Sequence, residues 1–416
     1  MAGINRRMLL RNAVIAGGAA ICAAPDLNAR TSAPATVKAV DYYQKLGVTP
    51  LINAAGTYTI LTASTMPLEV QAAMAQAAQK PVHLNELLIA SGEYLAKRLQ
   101  CQAALVTAGA AAALTLGTAA CVNAGNEGAI LNIPTDMNGL KNEVLVQKTH
   151  RYDYDHAVRN AGVRFVEVET VDDYERAFTD RTVMAHFFNA GEGKINREDW
   201  VRVAHQHGVP CFNDAAADVP PIANLWNYTQ MGFDLVTFSG GKGLRGPQCT
   251  GLLLGRKDLI EAARRNNSPN SNTIGRGMKV AKEEIVGLVA AVDWFLAQDE
   301  AQMQAEYQRR AERIAARLKT LPTVETRIFV PEVANHVPHL LITYDPSRIK
   351  ITGPEVLHKM RQGNPRIELN PGTGGPPASA GLPGGKNTII VGVWMMQPGE
   401  DVIVARRLLE VLQAAT

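Results

Sequence analysis

Between residues 100 and 260 short β-rich runs alternate with helical stretches, and this alternation restricts the chain to a small set of folds. Val144–Gln147, Arg164–Val168, Val183–Phe188, Val209–Asn213, Leu235–Phe238 and Gly251–Leu254 have the composition of buried strands. Helical patterns at Ala110–Cys121, Tyr154–Ala161 and Arg197–His207 stand between them. Strand and helix repeated in this way predict an α/β fold, a mostly parallel sheet with helices on both faces. Ligands of such sheets sit outside the carboxyl ends of the strands, so the residues following each strand are where chemistry is to be sought.

Past this region one long helical stretch, Glu283 to about Leu318, leads into a smaller C-terminal α+β part. That part contains Val337–Thr343, Val356–Arg361, the apolar strand Thr388–Val393 and a last helix, Asp401–Ala414. The expected division is an export signal at 1–35, an N-terminal segment at 36–100, a large ligand-binding domain at 101–295 and a small domain at 296–416. Gly363–Lys386 holds seven glycines and five prolines in 24 residues, the composition of a long functional or disordered loop.

The strongest local signal is Leu235-Val-Thr-Phe-Ser239-Gly-Gly-Lys242-Gly-Leu-Arg245-Gly-Pro-Gln248. A buried strand delivers a serine, two glycines and a lysine into a tight turn at the mouth of the sheet. A phosphate-binding P-loop needs Gly six residues before the lysine and Ser or Thr after it. Val236 and Gly243 occupy those places, so that reading fails. A lysine desolvated at a sheet mouth can instead lose its charge and condense with an aldehyde, which is how pyridoxal phosphate is held.

That cofactor also needs an acid beside its ring nitrogen and a cradle for its phosphate. Asp214 closes a buried strand 28 residues before Lys242, about one helical crossover away. An Asp capping the next helix is the plainer reading of that position alone. Leu105-Val-Thr107-Ala108-Gly109-Ala110-Ala111 runs from a short strand into an alanine-rich helix, whose first backbone N–H groups suit an anion. Cradle, acid and lysine occur in the order such a site requires.

With these motifs the sequence resembles fold-type-I pyridoxal-phosphate enzymes, specifically the group of bacterial selenocysteine synthase and the D-glucosaminate-6-phosphate ammonia-lyases. The resemblance covers roughly residues 40–415. It rests on Leu51-Ile-Asn53-Ala-Ala-Gly56-Thr57, Thr107-Ala-Gly-Ala-Ala, Asp214-Ala-Ala-Ala, the Ser239–Gln248 segment and Gly275-Arg276-Gly-Met-Lys279. It implies that Lys242 is the lysine bonded to the cofactor and Asp214 the partner of its ring nitrogen. Ser239 would join the backbone at Thr107, Ala108, Gly109 and Ala110 on the phosphate. His150 would stack on the ring, with Tyr152 and Tyr154 as rivals and a strand-capping histidine as the plainer reading. Asn53, Thr57, Arg276 and Arg366 fall to the substrate side, Arg366 as the bidentate partner of a carboxylate. A homo-oligomer, dimer or higher, is also implied.

The net charge of +3 divides unevenly, because residues 1–40 hold five basic residues and one acidic one. The remainder is near −1, which offers no basic face to nucleic acid. Arg6-Arg7-Met8-Leu9 followed by the apolar stretch Ala13–Ala24 resembles a twin-arginine export signal. Its 12 residues are too few to span a bilayer, so an export partner and a periplasmic address are expected, without a stable membrane anchor. Cysteines 22, 101, 121, 211 and 249 show no metal-ligand spacing, and the four that remain after removal of the signal are expected buried and free. His205-Gln-His207 reads as a surface helix face and His336-Val-Pro-His339 lacks acidic partners, so no metal site is expected. The expected activity is a pyridoxal-phosphate lyase that releases ammonia from a 2-amino-3-hydroxy acid or an amino-sugar acid. Transaminase, aldolase, racemase and selenocysteine-synthase-like chemistry are the alternatives, with a non-catalytic ligand-binding protein behind them.

Overall fold

The computed structural model describes residues 40–189, 193–332, 334–376 and 382–416. The expected export segment at 1–35, with Cys22, lies outside them, as do 377–381 of the glycine- and proline-rich loop. The chain divides into two compact units, Met1–Thr49 and Pro50–Thr416. In the first, the helix Tyr42–Leu46 is capped by Asp41, which accepts the N–H of Gln44, and closed by Gly47 in the left-handed conformation.

The second unit contains twelve described strands: β1 Leu51–Ala54, β2 Ala103–Thr107, β3 Glu143–Gln147, β4 Arg164–Val168, β5 Thr182–Phe188, β6 Cys211–Asp214, β7 Leu235–Ser239, β8 Gly251–Gly255, β9 Glu325–Phe329, β10 His339–Thr343, β11 Arg366–Leu369 and β12 Ile389–Gly392. The central sheet has seven strands in the order β2-β8-β7-β6-β5-β3-β4. Strand β8 runs antiparallel to both its neighbours, and the pairs from β7 to β4 are parallel. This is the mostly parallel α/β sheet expected from the alternation of strand and helix. The carboxyl ends of β3, β5, β6 and β7 therefore open on one edge.

Helix Ala110–Asn123 is buried along nearly its whole length, with Leu114 and Leu116 at 1% and 0% exposure. It packs against the sheet with Val106, Phe212, Leu235 and Phe238 in the larger core. Each fully buried leucine of this kind contributes roughly 1.5–3 kcal/mol. A second core joins the helices Glu300–Leu318 and Glu400–Gln413 to β10, β11 and β12. Ile52 and Ala54 belong to this second core, because β1 pairs in parallel with β11 from Leu51↔Arg366 to Ala54↔Leu369. Leu88, Leu95 and Leu99 belong to the first, so the segment before residue 101 is divided between both.

Three local expectations are corrected. The helical stretch from Glu283 to Leu318 is two helices, Lys282–Leu296 and Glu300–Leu318, because Asp299 turns its side chain to accept the N–H of Gln302 and starts a new helix. The helix expected over Tyr154–Ala161 is the shorter Asp155–Arg159. The described cysteines are free as expected, and Cys121 and Cys211 are buried, but Cys101 is only partly so and Cys249 is exposed.

Candidate active site

Register aligns the ends of three strands of the seven-stranded sheet. Asp214 pairs with Thr237 in β7, which places Ser239 and then Lys242 further along the same edge. Gly251 pairs with Ser239 on one side and with Thr107 on the other, bringing the end of β2 level with the end of β7. A cavity of about 480 Å³ opens there, a size suited to a small-molecule ligand.

One wall is a helix start. After Thr107 the chain turns at Gly109, whose φ of 93° lies in the region that favours glycine. The first helical bond is from Ala113 N–H to Gly109 O at 3.1 Å. The N–H groups of Ala110, Ala111 and Ala112 precede it and are available to an anion. Ala108, Gly109, Ala110 and Ala111 line the cavity. Thr107 is fully buried and does not line it; its hydroxyl donates to Gly109 O at 3.0 Å and shapes the turn.

Asp214 is 4% exposed and faces the same space. Its Oδ1 accepts the N–H of Ala216 at 3.0 Å, and its Oδ2 accepts the hydroxyl of Tyr152. Burial raises the carboxyl above its ordinary value, against the opposing pull of Tyr152, the Ala216 N–H and the Lys242 charge. Lys242 also lines the cavity, and burial lowers its ammonium, opposed by Asp214 and Asp218. The turn carrying it is tight. Ser64 donates to the carbonyl of Gly241 at 2.6 Å, and a Cβ on Gly241 would stand 2.4 Å from Gln248 Cα. Ser239 lines the cavity one turn earlier.

Other expected residues divide. Thr57 lines the cavity and donates to Asn335 Oδ1 at 3.0 Å, and Asn335 lines it too. Asn53 does not: its Nδ2 donates to Gly56 O and Ala63 O, and its Oδ1 accepts the N–H groups of Ala55 and Gly56, so it holds the 53–56 turn. His150 is fully buried, edge-on to Phe187 at 4.5 Å, with Nδ1 accepting from the Phe188 N–H at 3.3 Å. Of the three aromatic candidates, Tyr152 and Tyr154 line the cavity, and Tyr152 stacks on Phe188 at 3.9 Å. Arg276 is exposed and Arg366 opens β11 opposite Leu51; neither lines the cavity.

Asp218 was missed by the sequence reading. It lies four residues after Asp214, is 3% exposed and lines the cavity. A second acid in the segment after the strand was the available signal, hidden by its resemblance to a turn residue before Pro220-Pro221. Exposed Cys249 also lines the cavity, with its thiol 2.9 Å from Glu284 Oε1 and pushed up to about 12 by burial first and that carboxylate second.

His205, Cys211 and Asp234 also come together, their ligand atoms within 4.8 Å of one another. This cluster lies at the opposite edge of the sheet, where β6 and β7 begin. Asp234 accepts from the Cys211 N–H at 2.8 Å and from Arg256 at 3.1 Å, and His205 Nε2 stands 2.9 Å from it. The carboxylate thus joins two strand starts and is already surrounded by donors, while burial holds the Cys211 thiol protonated.

The residues fit pyridoxal phosphate: an amine and an acid in one buried cavity, beside a helix start whose N–H groups are available to a phosphate. The model of the SelA family, L-seryl-tRNA selenium transferase, matches residues 51–335. The chain is 33% identical over 342 residues to the 5'-C-glycyluridine monooxygenase-decarboxylase of a Streptomyces species, covering 79% of this chain and 83% of that protein. It is 31% identical over 287 residues to the D-glucosaminate-6-phosphate ammonia lyase of Salmonella typhimurium, covering 66% and 75%. A solved D-glucosaminate-6-phosphate ammonia-lyase superposes with a TM-score of 0.76 at 25% identity, over 90% of this chain and 99% of that one. The cysteine desulfurase CsdA of Escherichia coli, at 15% identity, TM-score 0.53 and 84% and 93% coverage, shares the fold.

Proposed function

The chain belongs to the SelA family of pyridoxal-phosphate enzymes, and on that premise we propose that it eliminates ammonia from a 2-amino-3-hydroxy acid or an amino-sugar acid, leaving a 2-oxo acid. The observation that carries this reading is the shared cavity of Lys242, Asp214 and the helix start at Ala110 and Ala111. When bound, the cofactor supplies a conjugated sink for the electron pair released at the substrate α-carbon.

The chain's own groups do the rest. Ser239 and the helix N–H groups hold the phosphate. A carboxylate whose charge is disfavoured by burial gains most from a cation beside it, so Asp214 keeps the ring nitrogen protonated. The Lys242 amine, with its charged form disfavoured by burial, takes the α-proton as general base. Thr57 and Asn335 line the space beside it for the substrate.

A small substrate is supported by the 480 Å³ cavity and by the near-neutral body. The elimination branch is supported by the ammonia-lyase relative, matched over 75% of its length, against 39% for the L-seryl-tRNA(Sec) selenium transferase of Aquifex aeolicus. Export through the twin-arginine machinery to the periplasm is part of the reading, on the strength of Arg6-Arg7 and the apolar run after them. So is a homo-oligomer, on the family resemblance.

A second reading is favoured by the Streptomyces relative, which matches more of the chain: oxidative decarboxylation of an amino acid with dioxygen. One screen separates the two. Purified holoenzyme is offered 3-hydroxy amino acids and 2-amino-sugar acids of both configurations, under air and under nitrogen, with ammonia, 2-oxo acid and carbon dioxide measured. Ammonia and 2-oxo acid in equal amounts in both atmospheres support elimination. Carbon dioxide formed only under air supports the second reading, and neither product from any substrate overturns the first.

A further inference from the structure

The elimination reading leaves one step without a group: a hydroxyl is a poor leaving group unless it is protonated as it departs. Lys242 is occupied with the α-proton, and Asp214 is bound to Tyr152 and the Ala216 N–H. Asp218 remains. The run Asp214-Ala-Ala-Ala-Asp218 doubles back through a bond from Asp218 N–H to Ala215 O at 3.0 Å, which returns the second carboxyl to the cavity lined by the first.

Both hydrogen bonds to the Asp218 carboxyl fall on one oxygen. Oδ2 accepts from Asn189 Nδ2 and from the Tyr228 hydroxyl, the latter at 3.1 Å. Asn189 is fixed in turn by Arg197, which donates to its Oδ1 at 2.5 Å, and by its own N–H to Asp214 O at 3.1 Å. Among the described residues Oδ1 has no hydrogen-bond partner and no cation stands at salt-bridge distance from the carboxyl. The groups acting on it are Asp214, Lys242, Arg197 and Tyr228. Burial first, and the like charge of Asp214, push it up to about 7 against the hydrogen bonds of Asn189 and Tyr228. Two neutral donors locked on one oxygen leave the other to carry the proton.

We propose that Asp218 is the acid that protonates the departing β-hydroxyl, through Oδ1. This rests on the elimination reading. The α-proton passes to Lys242 and the electron pair it leaves forms the Cα–Cβ double bond. The Cβ–O pair departs with the oxygen, and the Asp218 proton bonds to that oxygen, so water leaves. The proton on Lys242 then returns to Asp218. Addition of water to the product and loss of ammonia give the 2-oxo acid, with no net oxidation or reduction.

The test compares serine with 3-chloroalanine, both configurations, in the wild-type and D218N holoenzymes. Chloride departs without a proton, so D218N loses roughly 100-fold or more in kcat on serine and stays within about 3-fold on 3-chloroalanine. D218E, which keeps an acid, recovers part of the serine activity. In the wild type, kcat on serine falls above about pH 7 and kcat on 3-chloroalanine does not. A readout independent of turnover is the infrared difference between cofactor-free wild type and D218N at pH 6, which contains the carbonyl band of a protonated carboxyl. Equal losses on both substrates, no loss on either, or a difference spectrum without that band overturns the assignment. Where the screen selects another 2-amino-3-hydroxy acid over serine, that compound takes its place in the comparison, and wild-type release of ammonia from 3-chloroalanine but from no 3-hydroxy substrate also overturns it. Release from none of the substrates overturns the elimination reading itself, and the assignment with it.

Discussion

Tyr152 donates its hydroxyl to Oδ2 of Asp214 across the end of β5, where its ring stacks on Phe188. The bond holds the buried carboxyl in position and pulls its titration down against the effect of burial. In Y152F that pull is lost, and Asp214 in the cofactor-free protein titrates higher than in the wild type. Carbon-13 NMR of labelled aspartate carboxyls reads the shift directly.

Asp218 carries a stability signature of its own. Its folded-state value of about 7 lies above the ordinary 3.8, so the folded chain binds this proton more tightly than the unfolded chain does. Its contribution is full below the unfolded value and is lost as pH rises through the folded one. Cofactor-free D218N therefore matches the wild type near pH 4 and exceeds it by up to a few kcal/mol at pH 8. Urea midpoints across that range measure the difference.

The turn at Gly241 tolerates no side chain, because a Cβ there meets Gln248 Cα at 2.4 Å. G241A forces the Lys242 turn away from the residues after it, at about 1–3 kcal/mol. The expected outcome is a Tm lower by a few degrees together with weaker cofactor retention after dialysis.

Much of this architecture was legible before the structure. Apolar runs such as Leu235–Phe238 mark buried parallel strands because their faces are covered on both sides, and Ser239-Gly-Gly-Lys242 stands out because only small residues fit so close to a strand end. What escaped depended on distances between residues far apart in sequence. Asn53 satisfies its side chain on the 53–56 turn and on the carbonyl of Ala63, and a sequence does not reveal such bonding to backbone in a motif that also suits a ligand. His150 and Tyr152 are two residues apart, and which of them reached the cavity depended on the short turn Lys148–His150. Asp218 gained its meaning only when Asn189 and Tyr228, 29 and 10 residues away, met on one of its oxygens. The break at Asp299 shows a cap overriding a helical pattern that runs through it.

The central claim is that Lys242, in the cavity it shares with Asp214, bonds the cofactor. Purified protein supplied with pyridoxal phosphate, reduced with borohydride and digested should yield one phosphopyridoxyl-labelled peptide, with the label on Lys242 and absent in K242A. A wild-type protein that takes up no cofactor, or a label carried by another lysine and retained in K242A, would contradict the account.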